Sequence, residues 1–287
     1  MSGSAFVANG GNPNQKTWNL VELVEIAESL GDLEMGSPLQ LLRWDGKNPE
    51  GQGPILIVSG FSGTQRPDAA AGQLLQKAVA SGVFNPFSTL YFCPMTNPTS
   101  QGKNCHLNYE GGDILYDFPT STKESSSDLP QSLESKTLQK WIEMAKPIAV
   151  IALVSEARAI HHANCPSDIV EKMKKLSERD LYEVGQYPAQ TEEEIRAGTP
   201  KISELHQMDR ALGKWVAEKG MHYLEVAFDP KKKSFDDIRE DWKSCVGPAL
   251  KWLLDDPRFN PQEEIMAFPL PNVIPTLDLP PELANLR

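Results

Sequence analysis

The chain has no apolar run that approaches the roughly 20 residues a helix needs to cross a bilayer. Residues 1–16 lack a basic stretch followed by an apolar one, so we predict no signal peptide. Basic residues are also in deficit, because 39 Asp and Glu outnumber 28 Lys and Arg and give a net charge of −11. That charge disfavours nucleic acid or an anionic membrane as the main partner. These absences predict a soluble, cytoplasmic protein.

Cysteine is scarce, and no CxxC spacing relates the four thiols, which are Cys93, Cys105, Cys165 and Cys245. We therefore expect reduced cysteines and not a disulfide framework. The 287 residues suffice for one sizeable hydrophobic core. We predict a flexible leader over 1–16, a single α/β domain over 17–256, and a Pro-rich, extended tail over 257–287.

Apolar strands alternate with amphipathic helices along the domain. The predicted strands are 39–44, 54–60, 89–94, 147–154 and 222–228; the predicted helices are 17–31, 69–82, 134–145, 168–178, 202–220 and 234–256, the last interrupted at Gly247 and Pro248. This order predicts an α/β fold with a mixed, mostly parallel sheet and helices on both faces. Such sheets bind ligands at the carboxyl ends of their strands, here within 59–66, 94–106 and 154–162.

Three stretches at or near strand ends share an order and spacing with one enzyme family. They are GFSGTQ (60–65), NPTSQGKNCHLNYEGGDILYDFP (97–119) and HYLEVAF (222–228). Together they resemble the zinc carboxypeptidase superfamily, especially its branch of murein peptide amidases and succinylglutamate desuccinylase-like enzymes. The resemblance runs from about Trp18 to about Leu254. It implies a carboxypeptidase-like fold around a zinc-dependent hydrolytic site.

The resemblance places unusual residues at the three zinc-ligand positions. Ser62 and Gln65 stand where the family has a His and a Glu. Ser155 stands at the third ligand, a His in the family, although a slip of one residue would put Val154 there. Neutral hydroxyls and an amide are poor ligands, because zinc prefers an imidazole, a thiolate or a carboxylate. The sequence therefore predicts that the zinc site is lost and that no cofactor is bound.

The substrate-binding positions are replaced as well. His106 takes the place of an arginine that polarises the scissile carbonyl, and Leu115 and Tyr116 replace the Asn-Arg pair that grips the substrate carboxylate. Only Glu225, at the position of the general base, keeps the family's residue type. Glu225 has either a structural role or a residual role in ligand binding.

These replacements favour a degenerate, carboxypeptidase-like pseudoenzyme. We expect it to bind a peptide, a murein fragment or a protein partner in the former cleft without hydrolysing it, and we expect no nucleic-acid or membrane partner. A purely structural partner protein that makes contact through its Pro-rich tail is a third reading.

Two active hydrolases remain as alternatives. One is a peptidase or amidase with a relocated metal site, whose candidate ligands are His106, His161, His162 and Cys165. The other is a serine hydrolase that uses Ser62 as nucleophile, because GFSGT is similar to a Gly-x-Ser-x-Gly elbow. That enzyme would need His106 or His222 as base, together with Glu225.

Overall fold

The computed structural model describes thirteen parts of the chain: 17–24, 38–49, 53–62, 67–100, 107–108, 112–119, 132–155, 159–177, 179–184, 196, 212–228, 235–243 and 247–255. The predicted leader, the predicted tail, Gln65 and His106 lie outside these residues. So do 25–31 and 202–211, which belong to two predicted helices.

One eight-stranded sheet organises the described chain. Its strands are β1 (Asn19–Val24), β2 (Leu39–Trp44), β3 (Ile55–Val58), β4 (Leu90–Cys93), β5 (Ala149–Ser155), β6 (Ala159–Ala163), β7 (Asp180–Glu183) and β8 (His222–Phe228), in the spatial order β1-β2-β4-β3-β5-β8-β6-β7. The four central strands β4, β3, β5 and β8 are parallel, as are β6 and β7. Antiparallel pairs join β1 to β2, β2 to β4, and β8 to β6.

Helices cover the sheet on both sides, so the predicted α/β class with a mixed, mostly parallel sheet is confirmed. The helices are α1 (Pro67–Ala80), α2 (Leu133–Ala145), α3 (Ser167–Ser177), α4 (Leu212–Glu218), α5 (Phe235–Asp241) and α6 (Gly247–Asp255). Side chains of α1, α3, α5 and α6 pack with Ile57 and Ile151 on one side, which we call the α1 face. Side chains of α2 and α4 pack with Leu56 and Val150 on the other, the α2 face.

Buried strands and their following helices were predictable because their patterns are strong. The strands at 39–44, 54–60, 89–94, 147–154 and 222–228 and the helices at 69–82, 134–145 and 168–178 are present within a few residues. The helix predicted over 234–256 is divided into α5 and α6, and α6 begins at Gly247 as expected.

The prediction of a helix from residue 17 is wrong. Residues 19–24 form the edge strand β1, which pairs with β2 through Leu20–Leu42 and Leu23–Gln40. The apolar spacing suits a helix, but pairing with β2 satisfies the backbone of one edge of this strand. Glu22 also anchors β1 to α2, because its carboxylate accepts hydrogen bonds from Lys140 Nζ (2.6 Å) and Trp141 Nε1 (2.9 Å).

Sequence reasoning also missed β6 and β7, whose sequences AIHHA and DLYE are short and lack a sustained apolar alternation. Both lie beyond β8, and β6 runs antiparallel to it.

A buried ion pair joins three elements on the α1 face. Arg179 Nη2 lies 2.6 Å from Asp241 Oδ2, and the two side chains are 0% and 4% exposed. Arg179 Nε also donates to the carbonyl of Ala227 at 3.3 Å, and the guanidinium carbon lies 5.5 Å from the centroid of the Phe228 ring. The pair therefore connects the start of β7 with α5 and with the carboxyl end of β8.

None of the helices among the described residues combines the length and the apolar character that a membrane crossing requires.

Candidate functional site

The turn after β3 is fixed by the start of α1. Ser62 is buried there, and its backbone N–H donates to Oδ2 of Asp68 at 3.1 Å. Burial raises the pKa of Asp68 to about 7, and the hydrogen bond from the backbone N–H of Ser62 opposes this rise. Ser62 therefore belongs to a tightly bonded corner between strand and helix.

The loop after β4 is bonded to this same turn through main-chain carbonyls. Thr96 donates from N (2.9 Å) and Oγ1 (2.7 Å) to the carbonyl of Ser59. Asn97 donates from N to Gly60 O at 3.0 Å and from Nδ2 to Phe61 O at 2.9 Å. Gly60 has φ +71°, and a Cβ there would lie 2.9 Å from Met95 Cα, so this approach requires glycine. These hydrogen bonds join residues 59–61, after β3, to Thr96 and Asn97, after β4, and we call this set of bonded residues the latch.

A buried carboxylate that sequence reasoning missed holds the next part of the loop. Glu134, in the first turn of α2, accepts hydrogen bonds from Thr99 Oγ1 (2.6 Å) and Asn108 Nδ2 (3.1 Å). Asn108 Oδ1 in turn accepts from the N–H of Gly112 at 2.8 Å. A Glu in a first helical turn is usually exposed and favoured by the helix dipole, so no feature of the sequence marked this one as a loop anchor.

The predicted third ligand position lies on the opposite side of the sheet from Glu225. Side chains alternate along a strand, and Ser155, which pairs in register with Phe228, shares the α1 face with Leu153. Val154 lies on the α2 face. Glu225 pairs in register with Ala152, so it also lies on the α2 face. The two registers left open by the sequence therefore put residues on different faces, and only Val154 shares the face of Glu225.

Glu225 lies at the centre of a cluster of titratable side chains on the α2 face. It is 8% exposed, and its Oε2 accepts a hydrogen bond from the Tyr223 hydroxyl at 2.7 Å. Burial raises the pKa of Glu225 to about 7; the Tyr223 bond lowers it and the negative charge of Asp113 raises it further. His161 is the direct cross-strand neighbour on β6, and burial lowers its pKa to about 4, so its ring is neutral.

The two residues that the resemblance places at the carboxylate-binding positions, Leu115 and Tyr116, carry no positive charge that could bind a carboxylate. The Leu115 side chain is buried in the apolar core of the α2 face. Its backbone is fixed too, because its N–H donates to Asp113 Oδ1 (3.1 Å) and its carbonyl accepts from Leu212 N (2.8 Å). Tyr116 is half-buried against the same core.

Among the described residues, the candidate ligands of a relocated metal site do not converge. His161 and His162 are adjacent on β6, so their side chains point to opposite faces of the sheet. Cys165 follows the carboxyl end of β6, and its thiol donates to Tyr223 O at 3.1 Å near the amino end of β8. Within the described ranges, no group of three or more His, Cys, Asp and Glu side chains is arranged to hold a metal ion.

His222 is also misplaced for a serine hydrolase. It is the first residue of β8 and pairs in register with Ala149, which pairs with Ile55 at the start of β3. Ser62 follows the opposite, carboxyl end of β3. The ring Nδ1 of His222 lies 2.6 Å from the carbonyl of Asn164, away from Ser62. We therefore correct the expectation that His222 can act on Ser62.

The side chains at the described family positions do not fit a catalytic zinc. Such an ion takes about three strong nitrogen, sulfur or oxygen ligands and one open position. At the described family positions the chain offers the Ser62 hydroxyl and, in the register that shares the face of Glu225, the hydrocarbon side chain of Val154.

The arrangement of sheet and helices is the fold of the metallocarboxypeptidases, as solved structures show. The chain is similar to murein-tripeptide amidase MpaA from Escherichia coli O157, with a TM-score of 0.53, 15% identity, and coverage of 83% of this chain and 91% of that one. It is also similar to a metallo-carboxypeptidase from Burkholderia cenocepacia, with a TM-score of 0.51, 15% identity, and coverage of 84% of this chain and 65% of that one. Bovine thrombin-activatable fibrinolysis inhibitor, solved with tick carboxypeptidase inhibitor, gives a TM-score of 0.51, 15% identity, and coverage of 85% of this chain and 90% of that one. No protein-family model and no curated protein matches the sequence. The similarity establishes the fold.

The pH dependence of folding reports the state of Glu225. The pKa of Glu225 rises from its ordinary value of 4.5 to about 7, so between these values the folded protein binds more protons than the unfolded chain. The stability therefore falls as pH rises through this window, by at most about 1.4 kcal/mol per pH unit. Because Glu225→Gln removes this titration, we expect the variant's free energy of unfolding, relative to wild type, to increase across the window in urea titrations.

The difference in stability between wild type and Glu225→Gln reports the titration of Glu225 alone, since Asp68 and His161 titrate in both proteins. Glu171→Gln, on the exposed side of α3, is the matched control for exchanging a glutamate for its amide. A flat difference for Glu225→Gln would mean that Glu225 is ionised throughout the window.

Proposed function

We propose that this chain is a non-hydrolytic, metal-free binding protein built on the metallocarboxypeptidase fold. Its ligand, a peptide, a murein fragment or a segment of a protein partner, binds at the carboxyl edge of the sheet, on the α2 face. The observation that carries the proposal is the chemistry at the strand ends, where a serine in a bonded corner and a buried Leu115 occupy positions that need zinc and carboxylate binding. The frame of the cleft is kept by the latch and by Glu134.

Hydrolysis needs an activated nucleophile and a group that stabilises the developing charge, in addition to a base. Glu225 has a pKa near the value that suits a general base. It is nevertheless bonded to Tyr223 and faced by a neutral His161, with the hydrocarbon side chains of Ala152 and Val154 on β5 beside it. We infer that Glu225 serves as a buried hydrogen-bonding group for a ligand and not as a base.

The raised pKa of Glu225 is also what a hydrolase would need, so an altered peptidase or amidase is the second candidate. In it Glu225 would deprotonate water without the family's zinc. This candidate predicts turnover that disappears in Glu225→Gln, whereas a binding protein shows none in either form.

The experiment measures zinc content and ligand handling on the same untagged protein. After dialysis against zinc, we expect below about a tenth of an equivalent by mass spectrometry, since hydroxyl and hydrocarbon side chains do not hold the ion. Calorimetric titration with the murein tripeptide and with a matched neutral tripeptide should show saturable binding of at least one, and chromatography should show no cleavage.

Zinc near one equivalent would refute the metal-free site, and cleavage that Glu225→Gln abolishes would establish the hydrolase and refute the binding protein. Glu171→Gln is the control for general effects of removing a carboxylate.

A further inference from the structure

Two polar atoms at the carboxyl edge of the sheet have no hydrogen-bond partner among the described residues. They are Oδ1 of Asp68 and Oγ of Ser155, and both residues have no exposed surface. A buried polar group that makes no hydrogen bond is costly, and in native proteins nearly all such groups have a partner in the protein or in ordered water. Each atom therefore calls for a partner that the described residues do not supply.

The sheet register and the helix period place Asp68 and Ser155 at a similar height on the α1 face, toward the carboxyl edge of the sheet. Gly72 of α1 faces the sheet at Ser59, because a Cβ on Gly72 would lie 2.1 Å from Ser59 Oγ. Asp68 is four residues earlier, so it lies on the same side of α1 and about 6 Å closer to the carboxyl edge.

The same step occurs along β5. Continuing the pairing of Val58 with Ala152 by one residue sets Ser59 beside Leu153. Ser155 is two residues further, about 6.6 Å along the strand, and on the α1 face. Asp68 and Ser155 thus stand at the same height between α1, which packs on β5, and the sheet.

We propose that a single buried water molecule bridges Asp68 Oδ1 and Ser155 Oγ. Water suits both groups, since it can donate to a carboxylate oxygen or accept from its protonated form, and a serine hydroxyl can do either. A cation is disfavoured here, because the first turn of α1 and the N–H of Ser62 already direct positive partial charge at Asp68.

This inference rests on the proposed function, since it describes how the fold closes without a metal. The resemblance assigns zinc ligands to the ends of β3 and β5, which the ion would tie together. In this chain the same ends are joined by Ser62 N–H to Asp68, then by water to Ser155. The connection lies on the α1 face, behind the ligand-binding side, and leaves Glu225 untouched.

The test is a double-mutant cycle on stability with Ser155→Ala and Asp68→Asn, measured by urea unfolding. If the hydroxyl bonds a bridging water, Ser155→Ala raises the unfolding equilibrium constant roughly fivefold, and the effect largely disappears in the Asp68→Asn background. Ser100→Ala is the reference, because the buried Ser100 hydroxyl has a defined bond to Asn97 O at 3.3 Å.

A Ser155→Ala variant that is as stable as wild type or more stable overturns the proposal, because it would show a hydroxyl without a partner. An equal loss of stability from Ser155→Ala in the wild-type and Asp68→Asn backgrounds also overturns it. So does a loss of stability from Ser155→Ala that is seen in sodium chloride but not in choline chloride, because it would indicate a bound sodium ion in place of water. If Asp68→Asn does not fold, an atomic-resolution crystal structure decides: density within hydrogen-bond distance of both atoms supports the bridge, and an unfilled gap refutes it. Stoichiometric zinc in the same preparation would refute the proposed function itself.

Discussion

Replacing Arg179 with Met lowers the free energy of unfolding by about 3–5 kcal/mol. The substitution leaves the buried Asp241 carboxylate without its guanidinium partner, because the pair is 0% and 4% exposed and its two charged atoms are 2.6 Å apart. It also removes the bond to Ala227 O and the contact with the Phe228 ring. Urea unfolding followed by circular dichroism measures the loss.

The matched control is an ion pair with nearly the same distance between its charged atoms but with much more exposed side chains. Arg43 and Asp45 form an ion pair at 2.7 Å, but their side chains are about half exposed. Solvent screens such a pair, so we expect Arg43→Met to cost less than about 1 kcal/mol. The double variant Arg179→Met, Asp241→Leu should recover much of the lost stability, since it removes both buried charges. Equal losses for Arg179→Met and Arg43→Met would contradict this account of the buried pair.

Truncating Trp141 to Ala has a comparable effect, a loss of about 3–5 kcal/mol. Trp141 is among the largest fully buried side chains, and it lies in the core between α2 and the sheet. Its Nε1–H also bonds to Glu22 of the edge strand β1, so truncation creates a cavity and loosens β1 at once. Thermal and urea unfolding of the variant provide the measurement.

Two further variants separate the parts of this effect. Trp141→Phe keeps most of the ring and loses the bond, whereas Glu22→Gln keeps an acceptor for the ring N–H and removes the charge near Lys140. We expect Trp141→Phe to cost about 1 kcal/mol, in line with a single hydrogen bond. Glu22→Gln should cost less than about 1 kcal/mol, because solvent screens the exposed ion pair with Lys140. If Trp141→Ala were no worse than Trp141→Phe, packing of the ring would not be what stabilises this face.

The sequence allowed the core of the fold to be predicted, because buried parallel strands carry unmistakable apolar runs. The strand β5, AVIALVS, is buried at every position, as expected when helices cover both faces. The edges were harder. In β1 the apolar spacing suits a helix, and only pairing with β2 decides the conformation; in β6 the pair His161–His162 gives no apolar signal.

The candidate site was predictable as a location and less so as a geometry. Placing Glu225 on a buried strand needed only the motif, but deciding which of Val154 and Ser155 shares its face required the register between β5 and β8. A shift of one residue reverses the face of every side chain in a strand. Contacts such as Ser62 with Asp68, or Glu134 with Asn108, depend on tertiary packing that no local pattern encodes.

The latch has a consequence for how such a protein can change its chemistry over evolution. Its bonds end on the carbonyls of Ser59, Gly60 and Phe61, which every residue type possesses, and not on the side chain at position 62. Substitution at that position therefore leaves the neighbouring loop where it is. A lineage can therefore exchange the side chain at this edge of the sheet while inheriting the shape of the loop.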